Sequence, residues 1–82
     1  NVRRKLRFRS LRRGTKESDL VIGGFAEENL HALSEKQLAT FEALLDENDQ
    51  DVLGWVIEMK QPPPAHDTDV LVMIREFKNS LQ

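Results

Sequence analysis

The side chains able to do chemistry in this chain are few, and their spacing assembles no catalytic set. His31 and His66 have no ligand at metal-binding spacing. Both fall at predicted loop or helix ends, where a solvated imidazole is expected and a partner contact is the alternative. The carboxylate pairs Glu27-Glu28 and Asp46-Glu47 read as solvated helix faces. Asp49 and Asp51 offer a weak cation site, but N-capping of a helix explains them more economically. No cysteine is present, which removes disulfides, thiolate metal sites and Cys-based nucleophilic catalysis. No nucleophile–base or acid–base pair can be assembled, so neither an enzyme nor a metal site is expected.

Arg12-Arg13-Gly14-Thr15-Lys16-Glu17 is the more informative string. A glycine lets a backbone approach a partner closely, and guanidinium forks bind carboxylate or phosphate bidentately. Glu17 either caps the helix that starts there or reaches a polar group on a partner. The plainer reading is a C-cap glycine flanked by solvated arginines. The residues alone leave both readings standing. Trp55, the single tryptophan, shares a predicted face with Val52 and Val56, which favours a core role over ligand stacking.

The elements that must position these groups are helices. Residues 2–12 place Val2, Leu6 and Leu11 among strong helix formers, with Gly14 as the stop. Glu17 and Asp19 put acids in the first turn of a second helix, where they favour its dipole, and Val21, Ile22 and Phe25 face inward. Gly23-Gly24 predicts a kink or a close helix contact. Ser34 and Gln37 form a capping box for a third helix, with the inward stripe Leu38, Phe41, Leu44 and Leu45. A short fourth helix carries Val52, Trp55, Val56 and Met59 on one face. Pro62-Pro63-Pro64 stops it and makes 61–67 an extended Pro-rich linker. Asp67-Thr68-Asp69 caps a last helix whose stripe is Val70, Ile74, Phe77 and Leu81. The expectation is one all-α domain over 1–82, a compact bundle of about five short helices.

With 82 residues the core is modest, because a domain of this size buries a little over about 60% of its unfolded surface. A cofactor-enclosing pocket is hard to build on that scale. The net charge of −2 hides an asymmetry. Residues 1–16 carry eight of the twelve bases and no acid, whereas 17–82 carry four bases against all fourteen acids, a formal −10. Such a dipole suggests charged partners. No apolar run is long enough to span a membrane. Asn1 stands where a starting Met is expected, so a few N-terminal residues are expected to be missing, and a removed targeting segment is compatible with that.

Arg12-Arg13-Gly14-Thr15-Lys16-Glu17-Ser18-Asp19 resembles the RRGxxExD signature of the SdhE family of FAD assembly factors. The likeness continues through Phe41-Glu42-Ala43-Leu44-Leu45 and Asp49-Gln50-Asp51-Val52-Leu53-Gly54-Trp55-Val56 to a Pro-containing break and a closing amphipathic helix. It covers about residues 9–77. The resemblance implies a small helical assembly factor that binds the flavoprotein subunit of succinate dehydrogenase or, in some bacteria, of fumarate reductase. Such a factor promotes the bond between the FAD 8α-methyl group and a histidine of the partner. On this likeness Arg13, Gly14 and Glu17 enter the partner interface, with Arg12 and Asp19 flanking and Asp49, Asp51 and Trp55 as secondary contacts. FAD belongs to the partner and is not held stably by this chain. The implied location is the bacterial cytoplasm or the mitochondrial matrix. Thr15 stands where many members have Met, and Gly23-Gly24 and the triple proline also depart from the pattern.

The rival from another class is nucleic-acid binding through the basic segment 3–16, which interleaves one aromatic, Phe8. The acidic remainder and the absence of a helix-turn-helix pattern weigh against it, and no nucleic-acid partner is expected. Docking of the same helix on anionic lipid is weaker still, since Val2, Leu6, Phe8 and Leu11 are too few for stable insertion.

Overall fold

The computed structural model describes residues 2–11 and 16–81, and within these it is helical without strands. Helix α1 is Val2–Leu11. Helix α2 runs over 16–29 in three continuous pieces: an α-helical turn Lys16–Ser18, a π-helical segment Asp19–Gly23 and an α-helix Gly24–Asn29. A 3-10 turn, Leu30–Ala32, closes it. Helices α3 (Glu35–Leu45), α4 (Asp49–Val56) and α5 (Asp69–Ser80) follow. The radius of gyration, 11.3 Å, is that of a compact domain of this length, for which about 12 Å is usual.

Local chemistry sets most boundaries. The Ser34 hydroxyl accepts from the Gln37 backbone N–H at 3.1 Å while the Gln37 side chain accepts from the Ser34 N–H at 3.0 Å, the reciprocal capping box. Asn48 caps α4 by accepting from the Gln50 N–H at 2.8 Å. Thr68 caps α5 through the Leu71 N–H at 3.3 Å. Of the capping residues expected before α4, Asn48 does the capping and Asp49 and Asp51 stand in its first turn.

The core gathers Leu6 from α1, Val21, Ile22, Phe25 and Ala26 from α2, and Leu38, Phe41, Leu44 and Leu45 from α3. Val52, Trp55 and Val56 of α4 and Val70, Leu71 and Ile74 of α5 complete it, with Leu30 and Leu33 from the α2–α3 connection. Phe25 is its centre, tilted against Phe41 at 5.7 Å and edge-on to Phe77 at 6.1 Å. Gly24 lets that edge contact form, because a Cβ there would stand 3.0 Å from the Phe77 ring. The Gly23-Gly24 pair therefore marks both a helical irregularity and a close contact.

Two stripes and the linker are corrected. Met59 does not share the α4 face: the helix ends at Val56, and Met59 is 79% exposed. The chain reverses at Glu58, whose φ is +64°, and the Gly54 carbonyl accepts from both Met59 and Lys60 N–H groups at 2.9 and 3.1 Å. Leu81 lies past the end of α5 and is exposed, while Leu71 takes a core position that the stripe omitted. Helix α5 packs on α4, α2 and α3 together, so its apolar face is wider than one line. The Pro-rich linker is extended only in part, since Pro64–His66 form a 3-10 turn.

Candidate functional site

Arg12, Arg13 and Gly14 lie outside the described residues, so the site is built from the two helices that flank them. On the α1 side Leu6 and Ser10 face inward, and the buried Ser10 hydroxyl donates to the Leu6 carbonyl at 2.8 Å. Three α1 arginines turn back onto the domain. Arg3 donates to the carbonyls of Leu30 and Leu33, at 3.4 and 2.9 Å. Arg7 pairs with Glu27 at 3.0 Å, and Arg9 with Asp46 at 2.6 Å. Each exposed ion pair contributes little, roughly 0.2–1 kcal/mol, but together they fix where α1 lies across α2 and α3. Glu27 and Asp46 are thus tied down rather than simply solvated.

On the α2 side Glu17 is exposed and Asp19 half-buried at the start of the helix. The π segment begins at Asp19, and its second residue, Leu20, is 61% exposed while Val21 and Ile22 are buried. A wide π turn directly after Glu17 is a feature that periodicity alone did not find; the Gly23-Gly24 pair at its end was the signal available. Helix α1 packs on this segment, so the basic and acidic flanks of 12–15 are held together. The chemistry this surface offers is hydrogen bonding and ion pairing with a partner. Among the described residues no three His, Asp or Glu side chains are grouped to hold a metal ion.

The residues expected as secondary contacts lie on α4, whose main packing partner is α5. Asp51 accepts from Lys60 at 3.1 Å and Asp49 is half-buried. Trp55 is buried in the core and its ring stacks on His66, 5.3 Å between centroids and 21° between planes. His66 also meets Glu47 at 3.1 Å. Its side chain is 12% exposed, which corrects the expectation of a solvated imidazole. His31, by contrast, is exposed. Arg75 closes this end, donating from Nε to the Trp55 carbonyl at 3.0 Å, with Glu58 3.8 Å away. Elsewhere on the surface the Gln37 amide donates to Asp69 at 3.0 Å, and this hydrogen bond holds the Asp69 carboxyl below its ordinary value of 3.8. No helix among the described residues is long and apolar enough to cross a membrane.

Comparison with known proteins assigns the arrangement to a family. Residues 4–78 match the family described as flavinator of succinate dehydrogenase. A Dictyostelium discoideum protein named succinate dehydrogenase assembly factor 2, mitochondrial, is 36% identical over 74 residues, covering 90% of this chain and 52% of the relative. The protein of the same name from Danio rerio is 31% identical over 77 residues, covering 92% and 49%. The Aspergillus flavus one is 38% identical over 66, covering 80% and 22%. The chain thus spans about half the length of the first curated relatives it matches. A family match over nearly the whole chain, carried on an all-helical bundle, means that this chain belongs to the succinate dehydrogenase flavinator family.

Proposed function

We propose that this chain docks on the flavoprotein subunit of succinate dehydrogenase and promotes covalent attachment of FAD to a histidine of that subunit. The observation that carries the reading is the exposed Glu17 at the head of α2, where basic α1 gives way to the acidic remainder. The described residues gather no metal-binding group, and the relatives are named as assembly factors. A docking surface that acts on a partner's site fits that inventory better than a self-contained catalyst.

Flavinylation needs the flavin methyl group held against the partner histidine and the charge developing on the ring stabilised. A bound factor that orders the flavoprotein around FAD supplies orientation, and polar groups aimed at the site supply electrostatic support. In this proposal Gly14 permits close approach, Arg13 binds a carboxylate or carbonyl of the partner, Glu17 hydrogen-bonds across the interface, and Arg12 and Asp19 flank them. FAD stays with the partner. The chain then works where its client is made, in the bacterial cytoplasm or the mitochondrial matrix. The rival nucleic-acid reading loses ground because Arg3, Arg7 and Arg9 are engaged within the domain.

Cells carrying only the Glu17→Ala protein are expected to lose most covalent flavin fluorescence from the flavoprotein band on a denaturing gel, with the variant still folded. Normal fluorescence there would sink the assignment to Glu17. Unchanged fluorescence in cells lacking the gene would sink the function itself. Fumarate reductase flavoprotein, run in the same gel, tests for a second client.

A further inference from the structure

Arg75 stands in α5 with its side chain 21% exposed, and its Nε donates to the Trp55 carbonyl at 3.0 Å. That bond uses one guanidinium N–H and sets the plane of the fork. Its charged neighbour, Glu58, stays 3.8 Å from the same Nε, too far for a hydrogen bond, and is 72% exposed. The two terminal nitrogens of Arg75 hold no hydrogen bond among the described residues. Arg75 lines a cleft of about 350 Å³ whose other walls are Asp67 and the turn 58–62.

Glu58 lines the same cleft at φ +64°. A glycine would hold that left-handed turn at lower cost, so a side chain is kept there against the backbone preference, as happens at ligand clamps. Its carboxylate is the group a guanidinium attracts, but it misses the fork. We infer that this cleft is a binding site for a carboxylate-bearing ligand, gripped bidentately by the two terminal nitrogens of Arg75, with Glu58 as the internal competitor. Met59, 79% exposed, and Pro62 offer apolar surface to the carbon chain behind the carboxylate. Lys60 is engaged by Asp51 at 3.1 Å, which leaves Arg75 as the gripping cation. Arg75 and Lys60 stand against Glu58 and Asp67, so the rim is close to neutral and a spherical anion gains little there. Selectivity falls to the planar fork, which a carboxylate matches and chloride does not.

The test titrates the full chain with sodium acetate, balanced with sodium chloride to constant ionic strength, and follows the backbone amide resonances of 58–62 by NMR. A saturable shift in the millimolar range is expected, with none from chloride alone. Glu58→Gln removes the competitor and is expected to tighten acetate binding about threefold. Arg75→Lys keeps the charge without the fork and is expected to abolish saturation, with circular dichroism checking that the variant is folded. Shifts that stay linear in both the wild type and Glu58→Gln overturn the inference, as does acetate affinity that Arg75→Lys leaves unchanged. If Arg75→Lys does not fold, Glu58→Gln decides, and acetate affinity no tighter than wild type overturns the inference. Binding of purified succinate dehydrogenase flavoprotein subunit, measured with and without saturating acetate, separates the sources of the carboxylate. Competition assigns the cleft to a carboxylate of that partner, and indifference assigns it to a small-molecule carboxylate. The acetate result stands whether or not the flavoprotein is the client.

Discussion

The two ends of the bundle use aromatic and charged residues in opposite ways. At the α4–α5 end the aromatic groups turn inward: Trp55 is buried, and His66 stacks on it while meeting Glu47. Arg75 closes the same corner through the Trp55 carbonyl. At the α1–α2 end the arginines Arg3, Arg7 and Arg9 tie the helices together, while Phe8 and Leu20 face solvent. One end covers its own aromatic groups. The other is assembled by its charges and leaves apolar groups outward. The sequence favours a core role for Trp55 over ligand stacking, and its burial agrees.

The largest expected effect tests that separation directly. Phe25→Ala removes the ring between Phe41 and Phe77 and is expected to cost about 3–5 kcal/mol, most of the stability of so small a domain, whereas Phe8→Ala should stay within about 0.5 kcal/mol. Urea unfolding of both variants measures the contrast, and comparable losses would erase it. His66→Ala is expected to cost about 1–2 kcal/mol, through the lost stack on Trp55 and the lost Glu47 contact, and to hasten proteolysis of 61–67. An unchanged midpoint would make the α4–α5 corner as dispensable as the outer face of α1.

Glu58→Gly should raise stability by about 1 kcal/mol, because the left-handed conformation at Glu58 penalises a side chain and Arg75 keeps its bond to the Trp55 carbonyl. A decrease in the same unfolding assay would give the Glu58–Arg75 pair the larger share. The smallest effect is electrostatic. Asp69 has its folded pKa lowered by the Gln37 amide, so its contribution is present above the unfolded value and fades as pH falls through the folded one. Asp69→Asn should therefore flatten the acid side of the stability curve, by lowering stability slightly at neutral pH while leaving the acid end almost unchanged. A steeper acid limb in the variant would reverse that sign.

Much of the helical order was legible because its causes are local. The Ser34–Gln37 box, the Asn48 and Thr68 caps and the prolines after α4 act within a few residues. The inward set Leu38, Phe41, Leu44 and Leu45 follows from the helical repeat. The misplacement of Met59 and Leu81 has the opposite origin: the repeat continues in sequence after the helix has ended. The burial of His66 was illegible for a related reason, because its partner Trp55 sits across a turn that no local pattern predicts. The candidate site was legible in part. The Arg-Gly-x-x-Glu string stands out as sequence, but the π segment beside it ends at Gly23, next to the Gly24 that meets Phe77 of α5.

By itself the sequence determined an all-helical chain, a basic segment abruptly followed by an acidic one, and the lack of cysteine. Composition and short-range capping decide these without knowledge of the fold. Only the tertiary structure decided which charges serve the domain and which aromatics it covers. Arg7 meets Glu27, Arg9 meets Asp46, and His66 meets Trp55 across distances in sequence that only packing closes. The helical repeat gives each residue a face, but the packing of one helix on another decides whether that face is covered.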